Sequence, residues 1–169
     1  FNGSSAVVDL GNPAPFQLTS SMTVSAWVLP VAFPSNDAAI VSKRANNPSL
    51  GFQLDISMDT GPRTIGFRLT NATGTSMIRY GATTLQINQG YHVSGVYNAA
   101  AQTLHVYLNG VLDSGTLSGT VTATQQNSSL NVKIGQRAGA SGYAFNGTID
   151  EIRMYNRALT LAEIQFDMN

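Results

Sequence analysis

Leu104-His-Val-Tyr-Leu-Asn-Gly110 decides the fold. Leucine, valine and leucine alternate with histidine, tyrosine and asparagine, the period of a strand that buries one side. The run ends in Asn109-Gly110, and because both positions of such a turn tolerate positive φ, a tight two-residue hairpin is predicted there. Working outward, Met22-Thr-Val-Ser-Ala-Trp-Val-Leu29 repeats the alternation. Met22, Val24, Ala26 and Val28 share one face and Thr23, Ser25 and Trp27 the other, which predicts a half-buried strand. Similar segments recur at 6–10, 38–43, 50–58, 64–70, 75–80, 91–97, 111–114, 130–135 and 147–155, separated by Gly, Asn, Pro and Ser clusters. Strands at this spacing predict an all-β, two-sheet antiparallel sandwich or a barrel. Thr116 to Ser129 reads as one loop or an irregular edge strand. Thr160 and Glu163 stand at capping-box spacing ahead of Ile164 and Phe166, so one short C-terminal helix is predicted to seal an edge of the sandwich.

Composition narrows the function classes. Charged residues make up 11% of the 169 residues, with nine Lys and Arg against nine Asp and Glu. Nucleic-acid affinity grows with the Lys and Arg that displace counterions, so a neutral chain with scattered arginines is not expected to bind DNA or RNA. No apolar run approaches the roughly 18 residues of a membrane span, so no membrane insertion is expected. The chain has no cysteine, which leaves neither disulfides nor thiolate metal sites. No linker or composition shift interrupts residues 1–169, which read as a single domain. Phe1 is not an initiator Met, and the domain is expected to have been excised from a larger protein.

Catalytic chemistry finds little support in the residues. A retaining glycosidase needs two carboxylates about 5 to 5.5 Å apart. The only glutamates are Glu151 and Glu163. Asp55 and Asp59 share a strand face but stand roughly 13 Å apart along it. Neither His92 nor His105 has an acidic loop neighbour that would suggest a nucleophilic triad. His92 reads as a half-buried strand residue with a ring nitrogen bonded to backbone, and Trp27 as a core residue rather than a sugar-stacking platform.

The candidate ligand contacts are polar aromatics and arginines on a sheet face: Tyr80 with Arg79, Tyr97, and His105 with Tyr107. If Tyr97 pairs with Thr103, then Tyr97, His105 and Tyr107 form one exposed strip, while His92, Ser94 and Val96 join Leu104, Val106 and Leu108 in the core. That register is preferred because it places aliphatic residues inside, although a slip of one residue reverses it. The Gly-rich segment from Gly135 to Gly142 and its flank add Arg137, Ser141 and Tyr143 as rim contacts.

The C-terminal stretch Phe145-Asn-Gly-Thr-Ile-Asp-Glu-Ile-Arg-Met-Tyr-Asn-Arg-Ala-Leu159, followed by Thr160-Leu-Ala-Glu-Ile164, resembles the closing motif of laminin-G-like, concanavalin A-like jelly-roll domains. Phe1-Asn-Gly3, Met22 to Val28, His92-Val-Ser-Gly-Val-Tyr-Asn98 and Leu104 to Gly110 agree with that family in order. Two departures are Gly90-Tyr91, where a Trp commonly precedes the His-Val segment, and Asn98, where Asp is usual. The resemblance implies a sandwich with one concave sheet, used mostly as a non-catalytic glycan-binding or adhesion module of secreted proteins. It also implies that the Phe1-Asn-Gly3 turn meets Asp150, so that Asn2, Gly3 and Asp150 could hold a calcium ion. Laminarinase-like members carry a Glu-x-Asp-x-x-Glu strand, which this sequence lacks. The expectation is therefore a lectin-like module of a larger extracellular protein, taking a polysaccharide or glycan and packing against neighbouring domains of the same polypeptide. A protein-interaction or structural adhesion domain is the alternative, and a glycoside hydrolase or polysaccharide lyase the third reading.

Overall fold

The computed structural model describes residues 1–169. Its strands are β1 (Val8–Asp9), β2 (Met22–Ala32), β3 (Ala38–Ser42), β4 (Ala45–Asn46), β5 (Ser49–Leu50), β6 (Phe52–Ser57), β7 (Thr64–Thr70) and β8 (Ser76–Gly81). They continue with β9 (Tyr91–Asn98), β10 (Thr103–Leu108), β11 (Val111–Leu112), β12 (Ser114–Ser118), β13 (Lys133–Ile134) and β14 (Asn146–Tyr155), and the helix α1 (Leu161–Met168) closes the chain. A seven-stranded sheet has the order β1-β13-β3-β6-β7-β8-β12 and a five-stranded sheet the order β11-β10-β9-β2-β14, while β4 and β5 form a separate small hairpin. Every pairing within the sheets is antiparallel. The predicted sandwich is present. The polar stretch after Leu112 supplies β12, an edge strand with a register shift against β8. No helix is long and apolar enough to cross a membrane.

The core lies between the sheets. Met22, Val24, Ala26 and Val28 of β2 and Leu104, Val106 and Leu108 of β10 meet Phe52, Leu54 and Ile56 of β6 and Ile65, Phe67 and Leu69 of β7. The hairpin after β10 forms as predicted, with Asn109 at φ 50° and Gly110 at φ 71°.

Between β9 and β10 the register differs by one residue from the preferred one. Leu104 stands opposite Tyr97, and Thr103 opposite Asn98. Tyr97 is therefore in the core, fully buried, with its hydroxyl donating to the Thr122 carbonyl at 2.6 Å. Its inward neighbour Gly95 has no room for a side chain, because a Cβ there would lie 2.3 Å from the Phe67 ring. His92, Ser94 and Val96 consequently face outward.

That outward face is itself covered. The helix α1 begins with the predicted capping box between Thr160 and Glu163, but it lies over the outer face of the five-stranded sheet rather than at an edge. Val96 packs with Leu159 and Ile164. Asp167 accepts hydrogen bonds from Ser25 and, at 2.6 Å, from the Tyr155 hydroxyl. Trp27 Nε1 donates to the Met168 carbonyl at 3.2 Å. The expectation of a half-buried β2 thus fails because helix and sheet bury both its faces. Trp27 is not a core residue either; it is half-buried on this outer face, edge-on to His92 with 5.5 Å between ring centroids. His92 is almost fully buried rather than half-buried, and neither ring nitrogen finds the expected backbone partner; burial lowers its pKa.

Candidate functional site

On the seven-stranded sheet, the side chains that do not enter the core form two cross-strand rows. Pairing aligns Ala39, Asp55, Gly66 and Tyr80 in one, and Ser42, Gln53, Arg68 and Ile78 in the next. The alternation of Phe52-Gln-Leu-Asp-Ile-Ser57 and Thr64-Ile-Gly-Phe-Arg-Leu-Thr70 produces this arrangement, since every second residue belongs to the core. An outward face of this kind is normally solvated, but Gln53, Asp55, Ser57 and Thr64 are all buried. They are covered by longer side chains and by the segment between β13 and β14.

That segment is held beside β3, with Ala39 N donating to Tyr143 O and Gly135 N to Ile40 O, at 3.0 and 2.9 Å. It carries Arg137 inward. Arg137 Nε donates to Gln53 Oε1 at 2.9 Å and Nη2 to Asp37 Oδ2 at 3.0 Å. The Tyr143 ring centroid lies 3.4 Å from the guanidinium carbon. Gln53 in turn donates to Asp55 Oδ2, and Asp37 Oδ1 accepts from Met58 N at 3.1 Å. Farther along the face, Asp59 Oδ2 accepts from Arg68 Nη2 at 2.6 Å and from the Tyr80 hydroxyl at 2.8 Å.

Several polar atoms of this face have no hydrogen-bond partner: Asp55 Oδ1, Arg68 Nε, and Nε and Nη1 of Arg44. Burial and the nearby Asp37 carboxylate push the Asp55 carboxyl up to about 7. Burial, together with the like charges of Arg68 and Arg137, pulls Arg44 down to about 10. Burial and the bond to Asp59 raise the Tyr80 phenol, which stays neutral. The combination is a neutral phenol, an easily protonated carboxyl and guanidinium groups with donors to spare, a surface suited to saccharide hydroxyls and acidic groups.

The predicted contacts divide among three places. Arg137 and Tyr143 are brought together on this face, but Arg137 is buried as a structural cation rather than exposed on a rim, and Ser141 is exposed in the adjoining loop. His105 and Tyr107 share the outer face of the other sheet, with ring centroids 6.5 Å apart. There His105 Nδ1 lies 3.2 Å from Ser114 Oγ, and Tyr107 packs against the Leu159 and Ile164 cluster. Tyr97 is in the core, so the three-residue strip does not exist. Tyr80 belongs to the face just described, whereas Arg79 points the other way and ties the sheets by donating to Leu104 O and Gly115 O at 2.8 and 2.9 Å.

The calcium set does not converge. Asn2 bridges Asn146 and Asp150 pairs with Trp27, so they are separated by four residues of β14, about 13 Å of strand. Asn2 Oδ1 is already occupied by the backbone N–H groups of Ser4, Ser5 and Ala6. Gly3 donates its N–H to Phe145 O. No group of three or more His, Asp or Glu residues is placed to hold a metal ion.

Sequence reasoning missed Asp37, Arg44, Gln53 and Arg68, and took Asp55 only as a failed catalytic partner. For Gln53 and Arg68 the available signal was the alternation of β6 and β7, which aligns long polar residues on one face; Asp37 and Arg44, flanking β3, carried no such signal.

Among solved structures, a heptameric SAP-like pentraxin from Limulus polyphemus is similar, with a TM-score of 0.66 at 20% identity over 96% of this chain and 81% of that one. The fourth domain of an extracellular GH43 arabinanase from Geobacillus stearothermophilus, solved with arabinotriose, matches at TM-score 0.63 and 20% identity over 100% of this chain and 75% of the other. The CBM40 of the Ruminococcus gnavus IT-sialidase, bound to α2,3 sialyllactose, matches at TM-score 0.71 and 16% identity over 98% and 94% of the two chains. At these identities the likeness establishes the fold alone. No curated protein matches the sequence. The laminin-G-like family model of the Concanavalin A-like lectin/glucanases superfamily matches residues 2–165, and the chain belongs to that family.

Proposed function

We propose that this chain is a non-catalytic, lectin-like carbohydrate-binding module of a larger extracellular protein, and that it holds its saccharide on the outer face of the seven-stranded sheet. The observation that carries this reading is the set of polar atoms without partners on that face, Asp55 Oδ1, Arg68 Nε and the Arg44 donors, beside the aromatic rings of Tyr80 and Tyr143. Sugars are bound by such a mixture of apolar ring faces and fixed donors and acceptors. Structures of the same fold hold arabinotriose and α2,3 sialyllactose, which supports the ligand class. Each of the three carboxyl groups of this face is held by a neighbouring side chain, Asp37 by Arg137, Asp55 by Gln53 through Oδ2, and Asp59 by Arg68 and Tyr80, which supports a role in shaping a binding face. A glycan array probed with the wild-type chain and with Arg68→Ala tests the reading. Saccharides retained by wild type and lost by the variant support it; an array that retains nothing overturns it.

A protein-interaction role is the second reading. It is favoured by Phe166, 85% exposed on α1. A large apolar side chain held out from a helix suits contact with a neighbouring domain.

A further inference from the structure

The charges on the outer face of the seven-stranded sheet are unequally satisfied. Arg137 is held through Nε by Gln53, through Nη2 by Asp37 and across its plane by the Tyr143 ring. Arg68 is paired with Asp59 through Nη2 but keeps Nε free. Arg44 makes no ion pair and no side-chain hydrogen bond, and its Nε and Nη1 are shielded from solvent without partners. Arg68 and Arg137 lie close enough to depress the Arg44 pKa, while the more distant charges of Asp55 and Asp37 act the other way without reaching it as ion-pair partners. A guanidinium with unused donors and no bonded carboxylate is matched by an anion. A planar carboxylate fits it best, since two parallel N–H donors of the fork can meet two oxygens.

A second observation comes from the neighbouring strand. Asp55 is nine-tenths buried and more, and its Oδ1 has no partner. The carboxyl lies over Gly66, where a Cβ would come within 2.3 Å of Oδ1. Glycine at this position leaves the space in which the carboxyl sits.

Resting on the carbohydrate-binding reading above, we infer that the ligand is an acidic saccharide whose carboxylate is received by Arg44 and Arg68, with the covered Asp55 carboxyl lying among them and setting the charge of the face. The charged and titratable groups around Asp55 are Asp37 from the loop before β3, Arg44 after β3, Asp59 after β6, Arg68 on β7, Tyr80 on β8, and Arg137 and Tyr143 from the segment before β14. With every carboxylate ionised, the three arginines are balanced by three aspartates. When Asp55 takes a proton, the face gains one net positive charge and the repulsion of an incoming carboxylate falls. Because its carboxyl is pushed up to about 7, an acidic saccharide is expected to bind more tightly as pH falls through about 7.

Isothermal titration of the full chain with 3′-sialyllactose and trigalacturonate, beside neutral lactose and arabinotriose, tests this inference at about pH 6 and about pH 8. At least one acidic probe is expected to bind more tightly than both neutral ones, with higher affinity at the lower pH. Arg44→Gln is expected to weaken that binding by about tenfold or more, the worth of a charge-assisted pair, and to leave the melting temperature unchanged, because Arg44 has no partner to lose. Asp55→Asn should remove the pH dependence. Tighter binding of a neutral probe, or acidic binding indifferent to Arg44→Gln, overturns the inference while leaving the carbohydrate-binding reading intact. If neither acidic probe binds, the inference falls and the glycan array decides the broader reading separately.

Discussion

The guanidinium carbon of Arg137 lies 3.4 Å from the ring centroid of Tyr143, and its nitrogens are held from the sheet side by Gln53 and Asp37. One short segment between β13 and β14 thus supplies both a cation that neutralises the sheet face and the ring that covers it. Both members of the Arg137–Asp37 pair are almost completely buried, and removing one partner leaves the other as an uncompensated charge. Arg137→Ala is expected to lower unfolding stability by about 3 to 5 kcal/mol. Tyr143→Ala should cost about 1 kcal/mol, the scale of a partly desolvated cation–π contact. Urea unfolding of the two variants checks the order; equal small losses would contradict it.

Asp55 gives the protein a pH-dependent stability term of definite sign. Its folded pKa of about 7 lies above the roughly 3.9 of an unfolded aspartate, so the folded state holds the extra proton between those values. The contribution is complete below about pH 4 and is lost as pH rises through about 7. An amide cannot ionise, so Asp55→Asn should gain stability relative to wild type across that window, by at most about 4 kcal/mol. Thermal unfolding of both proteins between about pH 4 and pH 8 measures the difference. A difference that stays constant would contradict this account of Asp55.

Tyr97 and Tyr107 should respond oppositely to truncation. Tyr97 is fully buried between the sheets, so Tyr97→Ala is expected to cost about 3 to 5 kcal/mol. Tyr97→Phe should cost about 1 kcal/mol through the lost bond to the Thr122 carbonyl. Tyr107, half-buried beside α1, should lose clearly less on truncation to Ala. Chemical denaturation of the three variants decides, and a Tyr107 loss as large as that of Tyr97 would reverse the assigned faces.

That pair also marks the limit of what the sequence reveals. Strands β2 and β10, the Asn109-Gly110 hairpin and the Thr160–Glu163 capping box were legible because one period or one local motif determines each. Strand β9 was legible at 91–97, but the face it turns inward was not, because Tyr91 to Asn98 is buried on both faces and the cue of one apolar and one polar side disappears. Gly95 hides the inward set further, since its missing side chain is replaced by the Phe67 ring. At the candidate site, the alternation of β6 and β7 was visible, and Arg137 and Tyr143 were recognised as a pair in one loop. Their destination over Gln53 and Asp37 depends on contacts 84 and 100 residues away in the chain, which no local pattern encodes.

Calcium is expected to have no effect through the N-terminal turn. Asn2 Oδ1 is occupied by backbone donors and Asp150 lies well along β14, so these residues offer no converging set of oxygens. The melting temperature of wild type and of Asp150→Ala should be the same in calcium and in EDTA. A calcium-dependent rise in wild type that is absent from Asp150→Ala would restore the site.

The most direct test of the central claim is amide chemical-shift mapping of the isotopically labelled chain titrated with a saccharide retained on the glycan array. Perturbed amides are predicted to cluster on β6, β7 and β8, at Arg44, and in the segment from Arg137 to Tyr143. Perturbations confined to α1 and the outer face of the five-stranded sheet, around Trp27, His105 and Tyr107, would contradict the account.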